Sequence, residues 1–178
     1  MTKGFTSGMR TSNDDTWTTP KDFFNELNKE FNFTLDAAAL KSSAVVPNYL
    51  GPDHDYGWRR DALTVEWDGA VIDWDGVSGG GGAVWLNPPY GRQIGKFLAK
   101  ADNESKKGLV IVCLVPARTD TKWWHDYCIH HEIRFIRGRL KFGDSKNSAP
   151  FPSALVIMRQ VKTPPVTGPV GLVANGKG

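Results

Sequence analysis

The segment of the sequence with the clearest chemical meaning is Asn87-Pro88-Pro89-Tyr90, which directly follows an apolar run. Each proline fixes its own φ, lacks an N–H donor and forces the residue before it into an extended conformation. The segment therefore predicts a rigid turn that presents two acceptors, the Asn87 side-chain oxygen and the Pro88 carbonyl. Two such acceptors suit a planar NH₂ group, because accepting both hydrogens weakens delocalisation of the nitrogen lone pair and aims it at an electrophile. Tyr90 adds a ring that can stack on a flat substrate.

The alternative is an ordinary proline-rich loop in which the asparagine is satisfied by hydrogen bonds. The run Ala83-Val84-Trp85-Leu86 favours the first interpretation, because a short apolar run is typical of a buried strand. In open parallel sheets, ligands bind at the carboxyl ends of the strands. A turn with two free acceptors at that position is expected to face a ligand.

The elements that must position this turn are predicted from periodicity and from breaker residues. Alternating strand and helix patterns predict an α/β three-layer sandwich with a mostly parallel sheet. Asp36, Asn87 and Pro116 are then expected at the carboxyl ends of strands, and Thr19 is predicted to cap the first helix, with Pro20 at its first position. Strands are predicted at 33–36, 83–86, 109–115, 133–136 and 154–158, and helices at 20–30, at 94–101 and after Thr119-Asp120.

Composition excludes several classes of protein. The 178 residues carry a net charge of +3, which permits a nucleic-acid partner. No apolar run is long enough for a membrane span, and no apolar segment of a secretory signal follows the N-terminus. The two cysteines, Cys113 and Cys128, lack metal-ligand spacing, so we expect a reducing cytoplasm and neither a disulfide framework nor a metal. A monomer is favoured.

The expected organisation is a single domain with polar ends. Residues 1–16 are read as a flexible arm, residues 17–160 as the folded domain and residues 161–178 as a disordered tail. The glycine run Gly79–Gly82 is predicted to be a flexible loop. The adjacent Trp123 and Trp124 are predicted to lie in the core, because they repeat at helical spacing with Tyr127.

Five stretches together resemble the phage-type DNA adenine methyltransferases that use S-adenosylmethionine. The resemblance implies a Rossmann-like fold of the class I methyltransferase type, double-stranded DNA as partner and methyl transfer to the N6 amine of a flipped adenine. It also implies a phage or prophage origin. The stretches are Trp17-Thr18-Thr19-Pro20, Leu35-Asp36-Ala37-Ala38-Ala39, Asp61-Ala62-Leu63, Trp85-Leu86-Asn87-Pro88-Pro89-Tyr90 and Arg134-Phe135-Ile136-Arg137-Gly138-Arg139-Leu140-Lys141-Phe142.

The same resemblance implies a site for the methionine end of the cofactor. Asp36 matches an acid at the end of the first strand that can meet the cofactor's ammonium group. No Gly-x-Gly follows Asp36, so Ala37 and Ala38 must allow the close backbone approach with small side chains. The alternative for Asp36 is a helix N-cap.

Two more stretches are assigned to the cofactor by resemblance. Trp17, Thr19 and Pro20 match a segment that closes over the site, with helix capping as the alternative for Thr19. Asp61 matches an acid near the cofactor's adenine amine, with a solvated loop carboxylate as the alternative.

A basic segment is the candidate DNA contact. Arg137, Arg139 and Lys141 alternate with other residues, so an extended chain would present the three cations on one face, as phosphate binding requires. Arg118 follows the predicted central strand and is expected to face the pocket formed by the Asn87–Tyr90 turn. The alternative for the basic segment is a strand at the edge of the sheet, where solvated charges protect the edge from pairing with another chain.

Two other classes of function stay open from the sequence. One is an amino-methyltransferase that acts on RNA or on a protein glutamine, since glutamine methyltransferases share the tetrapeptide. The other is a catalytically inactive DNA-binding relative, because the glycines are missing. The intact tetrapeptide argues against loss of catalysis.

Overall fold

The computed structural model describes residues 17–72, 82–143 and 147–160. The predicted arm, the predicted tail and the glycine run up to residue 81 lie outside the described residues. None of the helices in the described ranges is long and apolar enough to cross a membrane. These ranges contain α1 (Lys21–Phe31), β1 (Phe33–Asp36), α2 (Trp67–Ile72), β2 (Ala83–Leu86), α3 (Ile94–Ser105), β3 (Ile111–Pro116), α4 (Lys122–Tyr127), β4 (Glu132–Phe135) and β5 (Ser153–Met158).

The strands form one mixed sheet in the order β1-β2-β3-β5-β4. The pairs β1–β2 and β2–β3 are parallel, whereas β5 is antiparallel to both β3 and β4. The predicted parallel sheet is therefore confirmed for β1 to β3, and β5 is the one reversed strand. Since β1 to β4 all run in the same direction, their carboxyl ends lie along one edge of the sheet. We call this edge the carboxyl edge and the opposite one the amino edge.

Apolar side chains cover both faces of the sheet. Strand residues such as Val84 and Leu86 pack with α2, α3 and α4 in one buried cluster. Their neighbours, such as Trp85, pack on the other face with α1 and with the connection between β4 and β5. This alternation is the consequence of the two-residue period of a strand. It explains why β2, β3 and β5 are buried along their whole length.

The predicted elements agree with the structure within about two residues at their ends, apart from α3, which continues four residues further to Ser105, and the loosely bounded third helix. The capping assignment for the first helix is wrong: α1 begins at Lys21, its N-cap is Pro20, and no side chain caps it. The predicted core position of the tryptophan pair is confirmed, since Trp124 is buried and Trp123 packs against the core.

Sequence periodicity missed two short elements, α2 and a 3₁₀ turn at Gly57–Arg59. Both are too short to show a helical period. α2 is fixed by tertiary contacts instead, because Trp67 is fully buried and its indole N–H donates to the Ala62 carbonyl at 2.8 Å. Packing of this kind overrides local propensity.

Candidate functional site

The three strand ends predicted to meet do meet at the carboxyl edge. Asp36 is the last residue of β1, Asn87 follows β2 and Pro116 is the last residue of β3. The parallel register of β1, β2 and β3 places these ends beside one another. The prediction that they share one edge of the sheet is confirmed.

Asn87 is held in a single orientation. Its Nδ2 donates to the main-chain carbonyl of Trp17 at 2.5 Å and to the Thr19 hydroxyl at 3.2 Å. Its Oδ1 is buried and has no hydrogen-bond partner in the described part of the chain. An unpaired buried acceptor costs free energy, on the order of 1–3 kcal/mol, unless a ligand satisfies it. The Asn87 side chain is therefore half-buried and anchored.

Tyr90 lies in a group of four rings, which we call the aromatic cluster: Trp17, Tyr90, Phe142 and Phe151. Trp17 stacks on Tyr90 with ring centroids 6.0 Å apart, while Phe142 and Phe151 meet Tyr90 edge-on at 6.1 and 5.6 Å. The Tyr90 hydroxyl donates to the Leu114 carbonyl at 3.3 Å, and burial raises its pKa well above the usual value. Tyr90 is therefore a neutral ring in a fixed position beside Asn87.

Phe142 and Phe151 were not predicted as pocket residues. Both belong to the connection between β4 and β5, far from Tyr90 in sequence. Leu140 and Phe142 alternate with cations in the sequence, which indicates that the two apolar side chains point inward. Leu140 and Phe142 are indeed buried. No local signal shows that this face packs against Tyr90, because that contact depends on the sheet order.

Residues 17–19 cross the site, and we call them the strap. The Thr19 hydroxyl is buried and accepts from the indole N–H of Trp85 at 3.3 Å as well as from Asn87. The Thr18 carbonyl accepts from the backbone N–H of Gly143 at 2.8 Å. The strap thus joins β2 to the connection between β4 and β5. This engagement replaces the predicted capping role of Thr19.

Asp36 is a buried carboxyl group at the end of β1. Its oxygens accept from the backbone N–H groups of Ala38 at 3.4 Å and of Val45 at 3.1 Å. Burial raises its pKa to about 7, and these two hydrogen bonds oppose the rise. No helix follows, so the alternative of an N-cap is wrong. The group can change its charge near neutral pH.

A glycine from another segment packs tightly against the backbone that follows β1. The Cβ of any other residue at position 51 would lie 1.7 Å from the Ala39 carbonyl oxygen. Ala39 also donates its N–H to the Leu50 carbonyl at 3.0 Å. Gly51 thus allows two backbone segments to pack closely, while Ala37 stays buried at the turn. The close approach of a cofactor to Ala37 and Ala38 stays a prediction.

The acid predicted near the adenine end of a cofactor has a local partner. Asp61 is half-buried, and its Oδ1 accepts from the Leu63 N–H at 3.0 Å, closing a turn. This contact is compatible with either interpretation of Asp61, because a carboxylate keeps further acceptor capacity. Its contact with a cofactor stays a prediction.

The predicted basic side chains lie beyond the carboxyl edge. Arg118 follows β3, and Arg137, Arg139 and Lys141 follow β4; all four are exposed. Gly138 has a φ of +86°, so the segment is not the continuous extended chain that we predicted. The alternation still holds further along, because Leu140 and Phe142 are buried between exposed cations.

One acidic cluster has the spacing of a metal site. Ligand atoms of Glu66, Asp68 and Glu104 lie within 4.8 Å of one another. Glu104, however, is fully buried and pairs with Lys100 at 2.6 Å and with Lys107 at 3.1 Å. Its negative charge is balanced by these two cations, so the cluster is accounted for as an ion-pair network.

Comparison with known proteins adds one finding. No curated protein matches the chain. A family model described as DNA N-6-adenine-methyltransferase (Dam) matches residues 6–172, which is nearly the whole sequence. With its asparagine, rings and cations on one edge of a mixed α/β sheet, the chain belongs to the DNA N-6-adenine-methyltransferase (Dam) family.

Proposed function

We propose that this protein transfers a methyl group from S-adenosylmethionine to the N6 amine of adenine in DNA. The observation that carries the proposal is the Asn87 Oδ1 atom, which is buried beside Tyr90 without a partner in the described residues. The family to which the chain belongs points to the same substrate. For this activity we propose a fold of the Rossmann-like class I type, with one reversed strand and helices on both faces of the sheet.

Asn87 acts on the amine as a fixed acceptor. The lone pair of an exocyclic amine is delocalised into the ring, so the nitrogen is a poor nucleophile. A hydrogen bond from the amine to Oδ1, with a second to the Pro88 carbonyl, draws the nitrogen towards a tetrahedral form and directs its lone pair. Because Oδ1 is already positioned, little reorganisation is needed when the base arrives.

Tyr90 holds the ring of the base. An adenine inside a duplex is stacked and paired, so it must leave the helix to reach a buried acceptor. Stacking on an aromatic side chain recovers part of that cost, roughly 1–3 kcal/mol per base. The edge-on contacts of Phe142 and Phe151 keep Tyr90 from turning away.

The residues at the end of β1 fit the methionine end of S-adenosylmethionine. Asp36 provides a carboxyl group that can pair with an ammonium, and Ala37 and Ala38 leave its neighbourhood open to a backbone approach. Bound S-adenosylmethionine supplies an electrophilic methyl group on a sulfonium, which is a good leaving group. Trp17, Thr19, Pro20 and Asp61 remain predicted neighbours of the cofactor.

The exposed cations orient the DNA. Arg118, Arg137, Arg139 and Lys141 follow β3 and β4 at the carboxyl edge, where they can contact phosphates near a flipped base. Phosphate contacts of this kind dominate affinity and make it depend on salt. They position the duplex without reading its sequence.

The test is a single-turnover assay with labelled S-adenosylmethionine on unmethylated plasmid DNA, on RNA and on glutamine-containing protein. We expect N6-methyladenine in digested DNA and no label in the other two substrates. Label in RNA or glutamine alone would replace the proposed substrate. Specific DNA binding without label in any substrate would identify an inactive DNA-binding relative. The Asn87→Ala variant is the control for contaminating activity.

A further inference from the structure

We propose that Thr19 is a positioning residue: together with the Trp17 carbonyl it fixes the amide of Asn87 so that only an amide functions well at position 87. The inference rests on the proposed function, because the fixed Oδ1 is the atom that accepts from adenine. It assigns the strap a role in the base pocket besides any contact with a cofactor.

The orientation of the amide is dictated by its partners. A main-chain carbonyl can only accept, so the group 2.5 Å from the Trp17 carbonyl must be the Nδ2 donor. Turning the amide over would place Oδ1 against that carbonyl and lose the hydrogen bond. Oδ1 is thereby held on the opposite side, where it is buried and unpartnered in the described chain.

Thr19 is itself held in place. Its hydroxyl oxygen has two lone pairs, and both have donors: the Trp85 indole N–H at 3.3 Å and the Asn87 Nδ2 at 3.2 Å. Trp85 is fully buried on β2, so the hydroxyl is anchored to a buried strand of the sheet. The Trp17 carbonyl, which is the second acceptor for Asn87 Nδ2, is fixed as well. The neighbouring Thr18 carbonyl accepts from the Gly143 N–H, and the Trp17 ring packs in the aromatic cluster.

This arrangement discriminates between asparagine and aspartate. An ionised aspartate would place a carboxylate oxygen beside the Trp17 carbonyl, with two acceptors facing each other. Only the protonated acid can donate to that carbonyl and leave its second oxygen for the amine. An Asn87→Asp enzyme is therefore expected to work through its protonated form.

The first experiment compares Thr19→Val with Thr19→Ser. Valine keeps the shape but removes the acceptor, so we expect the single-turnover rate at saturating cofactor to fall roughly 3- to 10-fold. Serine restores the hydroxyl and should recover most of the rate. Thr34→Val is the matched control, because the Thr34 hydroxyl lies on β1, outside the strap and the aromatic cluster, and has no hydrogen-bond partner in the described residues. A Thr19→Val enzyme that methylates at the wild-type rate, or a serine variant as slow as the valine variant, would overturn the proposal.

Cofactor affinity, measured by calorimetry, separates this role from direct cofactor binding. A weaker affinity for Thr19→Val with an unchanged rate at saturation would place Thr19 in the cofactor site instead. Thermal unfolding monitors the fold of each variant. If the wild-type protein itself does not methylate adenine, the proposed function fails rather than the role of Thr19.

The second experiment measures the pH dependence of Asn87→Asp relative to the wild-type enzyme. Taking the ratio of their rates removes the titration of Asp36, which both proteins share. We expect this ratio to rise about tenfold for each pH unit of acidification above the pKa of the new carboxyl group. A ratio that is independent of pH would show that the Trp17 carbonyl does not select the protonated form.

Discussion

The two edges of the sheet differ in whether their positively charged side chains are paired with carboxylates. At the amino edge, Lys106 pairs with Asp102 at 2.6 Å, Lys107 pairs with Glu104 at 3.1 Å, and Arg159 pairs with Glu132. At the carboxyl edge, Lys122 at the start of α4 pairs with Asp126 at 2.6 Å. Five other cations that follow β2, β3 and β4 have no carboxylate partner among the residues that the structure describes. They are Arg92, Arg118, Arg137, Arg139 and Lys141.

The net charge of +3 does not show how the charges are distributed between the two edges. Charges that are neutralised within the chain contribute modest stability, about 0.2–1 kcal/mol for an exposed pair. Unneutralised charges around one edge create a field that favours an anionic partner. Lys41, which pairs with Asp55 beyond β1, marks where this unpaired region ends. The carboxyl edge is thus the one suited to an anionic partner, as the proposed contact with DNA requires.

The largest expected effect is that of Asn87→Ala at the carboxyl edge. Removing the fixed acceptor should lower the single-turnover methylation rate about 10²–10³-fold, or roughly 2.7–4 kcal/mol. Cofactor affinity should stay unchanged. Because the side chain also binds the strap, folding stability should fall by about 1 kcal/mol.

Asn103→Ala is the matched control, since Asn103 is exposed on α3. It should leave the rate and cofactor affinity unaltered. An Asn87→Ala enzyme at the wild-type rate would reduce the tetrapeptide to a structural turn.

The next effect concerns the stacking ring. Tyr90→Ala should weaken retention of the flipped base by roughly 1–3 kcal/mol, which lowers kcat/KM about 5- to 150-fold. Tyr90→Phe keeps the ring and loses only the bond to the Leu114 carbonyl, so it should stay close to wild type. Fluorescence of 2-aminopurine at the target position measures base flipping directly. Equal losses for Ala and Phe would point to the hydroxyl rather than to stacking.

Asp36 tests the cofactor end of the same edge. Asp36→Asn removes the negative charge and should weaken S-adenosylmethionine binding about tenfold or more, as expected for a lost charge-assisted contact of roughly 1.5–3 kcal/mol. Wild-type affinity should also fall as the pH drops through about 7, because Asp36 then becomes neutral. Calorimetry across pH 6 to 8 measures both effects. Unchanged affinity in Asp36→Asn would remove Asp36 from the cofactor site.

The raised pKa of Asp36 also predicts how folding depends on pH. The pKa is about 7 in the folded protein against 3.8 for an aspartate in water, so between these pH values the folded state holds a proton that the unfolded state has lost. This contribution to stability is complete below about pH 4 and is lost as the pH rises through 7. Urea unfolding between pH 4 and 8 should show this decline. In the Asp36→Asn variant, the part of this decline in stability that is caused by Asp36 should be absent.

The smallest effect compares the cations of the two edges. Replacing Arg137 and Arg139 with Ala should reduce the slope of log K for DNA against log salt by about 0.9 for each lost phosphate contact. The matched variant replaces Lys106 and Lys107, whose partners are within the chain, and should leave the slope unchanged. Filter binding at several salt concentrations gives both slopes. Equal changes would mean that only the total charge matters, and the contrast between the edges would be lost.

Sequence patterns predicted what depends on local order. The apolar run before Asn87 identified β2, and the rule for strand ends correctly placed Asp36 at the same edge. The contacts of the Thr19 hydroxyl could not be predicted, because its partners Trp85 and Asn87 lie 66 and 68 residues away. The burial of the Asn87 side chain depends on the same contacts.

Two further features needed the sheet order. Phe151 joins the aromatic cluster only because β5 returns between β3 and β4. Gly51 carries no motif, and its need to be glycine arises from the Ala39 carbonyl across from it. Such requirements arise between segments, so no window of sequence contains them.

The reversed strand β5 has a consequence for how such an enzyme can diversify. Because β4 and β5 are paired antiparallel, the connection 136–152 leaves and re-enters the sheet at the same edge. Doubling the length of a flexible connection costs only about 0.6 kcal/mol in closure entropy. Extra residues inserted there would extend beyond the carboxyl edge, where we propose that DNA binds, while Asn87 stays at the end of β2. New sequence preferences can therefore evolve in this connection without rebuilding the chemistry.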